Sequence, residues 1–228
     1  MHARHTLPLL SFFFAALAMG QSTDPPSVPV QDKRAFGVIP NNRTTEASLA
    51  FEPITTQRKM TIAAKDSFAI PIYFNAALFA TLYQAENQNP SFGQGFGGYA
   101  KRLSASFGDQ MIGNMMSEGV MPSLLHEDPR YFRIGEGRKL SRTGYALTRI
   151  FVTRTDSGGS RFNFSEVLGN STAVALSNAW YPDTRTASDN VEKLAMQLAT
   201  DAFSNVLKEF WPDVRRHFQH RHEVNAGR

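Results

Sequence analysis

The chain opens with an apolar run, Leu7 to Met19, then passes through a proline-bearing stretch with no sustained periodicity. After that, apolar residues recur at three- and four-residue spacing almost to the end, which predicts amphipathic helices. Met60, Ala63, Ala64 and Phe68 mark one over Gln57 to Phe68; Pro71 interrupts, and Ile72 to Tyr83 resumes as a strongly apolar helix. Asn87 to Gly98 reads as a loop. Leu103, Phe107, Met111 and Met115 stripe a helix over Tyr99 to Glu118, which Gly119 and Pro122 should break. A short helix over Ser141 to Thr153, a turn over Thr155 to Ser160 and a helix over Asn163 to Ala179 follow. The last helix has the clearest start: Thr186 and Asp189 form a capping box, and Val191, Leu194, Leu198, Ala202 and Val206 trace one face. Trp211-Pro212 is expected to stop it, because a residue before proline is pushed out of the α region. Period-two alternation is absent. The fold class is therefore all-α, a single compact bundle of about five helices.

Gly108, Gly113, Ser117, Gly169, Ala173, Ala175 and Ser177 fall inside these helices. A helical glycine costs roughly 1 kcal/mol relative to alanine, so faces of small residues imply that backbones approach closely. Ser67 to Ala85 is nineteen residues without a charge, long enough to span a bilayer. It contains Pro71, Asn75 and Gln84 and is flanked by Asp66 and Glu86, which favours a core helix broken at Pro71. Membrane contact through this hairpin is the alternative.

The two ends of the chain differ from its middle. A short basic start with Arg4, the apolar run and the small residues Ala18 and Gly20 before Gln21 have the form of a secretory signal peptide over residues 1–20. Thirteen residues of helix rise only about 20 Å, too short for a retained span. Residues 21–54, with Pro25, Pro26, Pro29, Pro40 and Pro53, read as a disordered or extended lead-in. It could lie as a strap on the domain through Phe36, Val38 and Ile39. The helical domain then covers 55–212 and a polar tail 213–228.

Composition narrows the chemistry. The chain has no cysteine, which removes disulfides, thiolate nucleophiles and thiolate metal ligands from an exported protein. Without the first twenty residues, 23 basic and 20 acidic residues leave a net charge of +3, too little to argue for nucleic acid. The positive charge is concentrated locally: Arg130, Arg133, Arg138, Lys139, Arg142, Arg149, Arg154 and Arg161 stand against only Glu136 and Asp156.

Several motifs have bland explanations. Gly93-Gln94-Gly95-Phe96-Gly97-Gly98 has the G-x-G-x-x-G spacing of dinucleotide sites, but no strand delivers it, so it reads as a glycine-rich connection. Asp156-Ser157-Gly158-Gly159 is turn chemistry. His217, His220 and His222 sit in the polar tail and read as solvated. His126 with Asp128 and Glu166 would suit a hydrolase, His126 acting as base; against that, Asp128 opens a turn before Pro129, and Glu166 fits the third position of a helix capped by Asn163. No residue spacing typical of a metal site or cofactor site stands out.

Pro122-Ser-Leu-Leu-His-Glu-Asp-Pro-Arg-Tyr-Phe-Arg133, Arg142-Thr-Gly-Tyr145, Phe151-Val-Thr-Arg-Thr-Asp-Ser157, Phe162-Asn-Phe-Ser-Glu166 and Val206-Leu-Lys-Glu-Phe-Trp-Pro-Asp213 resemble a family of exported bacterial proteins. The resemblance covers about Lys59 to Asp213 and implies one complete domain. No activity is attached to that family, so no catalytic residue carries over from it.

The arginines are the strongest functional feature. Arg142 and Arg149 share one face of their helix, with Arg138 just before and Arg154 just after. Such a set of planar forks suits phosphate or carboxylate, unless internal acids consume it. The expectation is an exported protein of the periplasm or cell envelope, a non-enzymatic binding or scaffold domain. Its arginine surface would face an anionic partner such as phospholipid or an acidic polymer, with peripheral membrane contact. The alternative is an envelope hydrolase built on His126, Asp128 and Glu166.

Overall fold

The computed structural model describes residues 43–226, with side chains to residue 215, preceded by a two-strand pairing of β1 (Arg34–Ala35) with β2 (Ile39–Pro40). The signal-peptide reading, the strap contact through Phe36, Val38 and Ile39, and the side chains of His217, His220 and His222 lie outside the described residues.

The chain folds as the periodicity dictates, into an all-α bundle. Thr55 caps α1 (Thr56–Ser67), its hydroxyl accepting from Arg58 N at 3.2 Å. Pro71 does not break a helix but begins one: it lies in the first turn of α2 (Ile70–Ala85), where a missing N–H leaves nothing unbonded. α6 (Phe164–Ser177) is capped by Asn163, whose side chain accepts from Glu166 N at 3.1 Å. α7 (Ala187–Ala226) starts with the expected capping box, Asp189 N donating to Thr186 Oγ1 and Thr186 N to Asp189 Oδ2.

The long central helix corrects one expectation. α3 (Gly95–Asn114) is not broken at Gly119; it widens into a π-helical stretch (Met115–Val120) and narrows again to α4 (Met121–Leu125). Met121 N–H reaches back five residues to Met116 O, and this wider turn admits Pro122. The π-helical stretch packs between α1 and α6. There the small residues earn their place. A Cβ on Gly169 of α6 would sit 2.6 Å from Ser117 Cα, and one on Gly119 would sit 3.0 Å from Ala63 Cβ.

α7 corrects a second expectation by running through Trp211-Pro212. A proline in a helix interior leaves the carbonyl four residues back without its donor and forces neighbouring carbonyls outward. Next to that carbonyl, Glu209 O accepts from two guanidiniums, Arg133 Nε at 2.8 Å and Arg142 Nη2 at 2.9 Å.

The third correction lies between the bundle helices. The short helix ends early, as α5 (Lys139–Thr148), and the chain then turns into strands. β6 (Val152–Thr155) pairs antiparallel with both β4 (Glu127–Asp128) and β7 (Ser160–Phe162), the turn between β6 and β7 made by Gly158 at φ 87°. β3 (Thr44–Glu46) runs parallel to β5 (Tyr131–Arg133). The lead-in is thus tied down from Arg43 onward. Each strand is too short to show an alternation in the sequence.

No single helix among the described residues is long and apolar enough to cross a membrane; α1 and α2 together reach that apolar length but are bent by 50° at their junction.

Gly169→Ala should lower stability by about 1–3 kcal/mol, because the new methyl meets backbone that cannot rotate away. Gly144→Ala, with open space around the same atom in α5, should raise it by about 0.5–1 kcal/mol. Urea titrations of the two variants compare the effects directly.

Candidate functional site

The arginine-rich stretch divides into two groups. The first encloses Glu209, which is fully buried. Arg142 Nε lies 2.8 Å from Glu209 Oε1, and Arg142 Nη1 lies 2.6 Å from Asp213 Oδ2. Tyr131 OH donates to Glu209 Oε2 at 2.8 Å, and Gly135 N donates to Oε1 at 2.9 Å. Arg133 joins Asp213 and Glu46, each at 3.2 Å. Arg142 is therefore not part of an exposed anion surface: its face of α5 turns inward onto α7, where a buried carboxylate requires it.

The second group lines a cleft. Arg149, at the end of α5, lies with its Cζ 4.5 Å from the Tyr145 ring; Arg154, on β6, lies 4.2 Å from the Phe132 ring. Among the described residues neither has a carboxylate within ion-pairing distance. Their neighbours do: Arg130 holds Asp128 at 2.6 Å, Arg161 holds Glu127 at 2.7 Å, and Arg43 holds Glu118 and, at 3.6 Å, Glu166. Arg149 Nε and the Ser165 hydroxyl are buried with no hydrogen-bond partner, and both residues border a cleft of about 30 Å³ together with Arg154 and Tyr145. That volume suits one or two waters, or the oxygens of a single carboxylate or phosphate. Burial raises the Tyr145 pKa, while the charges of Arg149 and Arg154 draw it down. Tyr145 stays neutral and donates to Phe132 O at 2.6 Å. Arg138 stands apart, exposed at the N-terminal boundary of α5.

The hydrolase constellation does not assemble. Asp128 and Glu166 both border the cleft, but His126 does not. It caps α4 in the left-handed region at φ 55°, its side chain 84% exposed, with Nδ1 3.8 Å from Asp156 Oδ2. Asp128 is taken by Arg130, and Glu166 by Arg43 and by Asn170 Nδ2 at 3.1 Å. Among the described residues no three His, Asp or Glu side chains form a group able to hold a metal ion.

A third cluster was not legible in the sequence. Arg43, from the lead-in, enters the bundle and meets Glu118 of the π-helical stretch and Glu166 of α6, with Asp66, Asp201 and Lys208 acting on the same group. Burial pushes the Glu118 carboxyl up to about 8; Arg43 pulls it down, and Asp66 pushes it further up. Burial likewise holds Glu166 well above the usual carboxylate range, with Asp201 adding to the effect. The one hint was Glu118 itself, an acid among the apolar and small residues from Met115 to Val120. Nothing in the lead-in singled out Arg43.

Comparison with protein-family models, with curated proteins and with solved structures gives no match to this chain.

Arg142→Gln should cost roughly 3–5 kcal/mol, since it leaves the Glu209 charge buried without its partner. A loss below about 1 kcal/mol, the range of an exposed pair, would show the knot to be dispensable. The Glu118 shift sets a pH dependence with a definite sign. The folded carboxyl binds its proton more tightly than the unfolded one, so its contribution favours folding at low pH and is lost as pH rises from about 4.5 to about 8. The urea midpoint should fall over that window, and Glu118→Gln should flatten the slope.

Proposed function

We propose that this chain is an exported, non-enzymatic binding domain of the cell envelope that captures a single anionic group between Arg149 and Arg154. The observation that carries this reading is their lack of compensation. Arg149 and Arg154 face a small cleft with no carboxylate partner among the described residues, and two buried hydrogen-bonding atoms, Arg149 Nε and Ser165 Oγ, are left unpaired beside them. Unpaired buried polar atoms cost about 1–3 kcal/mol each, and a bound oxyanion recovers that cost through charge-assisted bonds. The ligand class is a carboxylate or phosphate group, carried by phospholipid or by an acidic polymer. The signal-peptide pattern supports the compartment. The scattered positions of His126, Asp128 and Glu166 leave a hydrolytic role without an assembled centre.

Calorimetric titration with inorganic phosphate and with acetate tests the site. Binding should weaken as ionic strength rises, and Arg149→Gln with Arg154→Gln should abolish it. The same double variant should stay within about 2 kcal/mol of wild-type stability, because it removes three aromatic contacts and strands no carboxylate. Binding that survives the double substitution, or a variant that unfolds, would remove the cleft as the functional site.

A further inference from the structure

α2 has an uncovered side. It packs on α3, and Tyr73 stacks on Phe107 of that helix at 5.2 Å, yet Phe68, Ile70, Tyr73, Phe74, Leu78 and Leu82 remain between 40% and 72% exposed. A helix that is apolar on both sides is normally covered on both. We propose that a second copy of this chain covers it, the two α2 helices meeting antiparallel about a two-fold axis.

Three features favour this occupant. The first is self-complementarity. Ile70, Phe74, Leu78 and Leu82 recur every four residues, so an axis between Phe74 and Leu78 brings Phe74 of each copy against Leu78 of the other, and Ile70 against Leu82. The second is charge. No charged residue occurs from Ser67 to Ala85, so the pairing opposes no like charges along the ridge. Beyond the ends of that ridge stand Glu86 and the exposed Lys65, of opposite sign, while Asp66 acts on Glu118 and Lys208 inside its own bundle. The third is area. Six large side chains about half exposed offer roughly 500–600 Å² per copy, and twice that clears the approximately 1,000 Å² of a specific interface. A lipid surface fits less well, because interfacial helices carry Lys and Arg beside their apolar face and α2 carries neither.

Multi-angle light scattering on the purified protein, as the cell processes it, should give twice the monomer mass at micromolar concentration. Phe74→Ser with Leu78→Ser should give the monomer mass with an unchanged helical circular dichroism spectrum. Because the chain has no cysteine, orientation can be read by oxidation. An equal mixture of Ile70→Cys and Leu82→Cys chains should cross-link, whereas either alone should not. Wild-type protein that runs as a monomer overturns the proposal, whether it stays free or floats with anionic or zwitterionic phospholipid vesicles, and flotation would assign the face to lipid. A dimer that persists in the double variant, or cross-linking by Ile70→Cys alone, overturns it equally. A variant that loses its helical spectrum is replaced by Phe74→Ser alone, read the same way.

Discussion

Glu209 is charged and wholly buried, and the geometry around it decides how the second half of the molecule is assembled. An isolated carboxylate in such a place is too costly to keep, so its two oxygens and its own carbonyl must be met from several directions at once. Arg142 comes from α5, Tyr131 and Arg133 from β5, and Gly135 from the loop that follows. Each of these elements is short. None would be held in place by apolar contact alone. Arg142, which pairs with the carboxylate, and Arg133 also bond the backbone carbonyl of Glu209, in the turn of α7 that Pro212 interrupts.

The same economy operates on the other side of the bundle with the balance reversed. Around Arg43 the acids outnumber the bases, and burial together with the neighbouring acids raises the Glu118 and Glu166 carboxyls above their ordinary range. Between the Glu209 and Arg43 clusters lies the cleft, where Arg149 and Arg154 have no carboxylate within ion-pairing distance among the described residues.

How much of this the sequence disclosed follows from the range of each interaction. Helices with strong periodicity were legible, as were their caps, because Thr186 with Asp189 and Asn163 with Glu166 are local devices. The strands were not, since two to four residues cannot display a period; Val152 and Thr153 read as the end of a helix and Thr155 as the start of a turn. Charge density pointed to the correct part of the chain for the candidate site. It could not separate Arg142 from Arg149, which lie two turns apart on one helix; the difference is made by Glu209, distant in sequence. The Arg43 cluster joins residues from five separate stretches and left no trace that spacing could reveal. Pro71 and Pro212 show the same limit: proline marks a discontinuity, but tertiary partners decide whether it starts a helix, bends one or ends one.

The contact between Gly169 and Ser117 has a consequence for the history of such a sequence. The backbone of Ser117 lies directly against Gly169, so residue 169 cannot gain a Cβ without pushing apart α6 and the π-helical stretch that carries Glu118. Change is easier on the outer faces of the helices than where backbones approach this closely. Distant descendants of this chain should therefore be recognised less by their large apolar residues than by a sparse pattern of glycine, alanine and serine at constant separation.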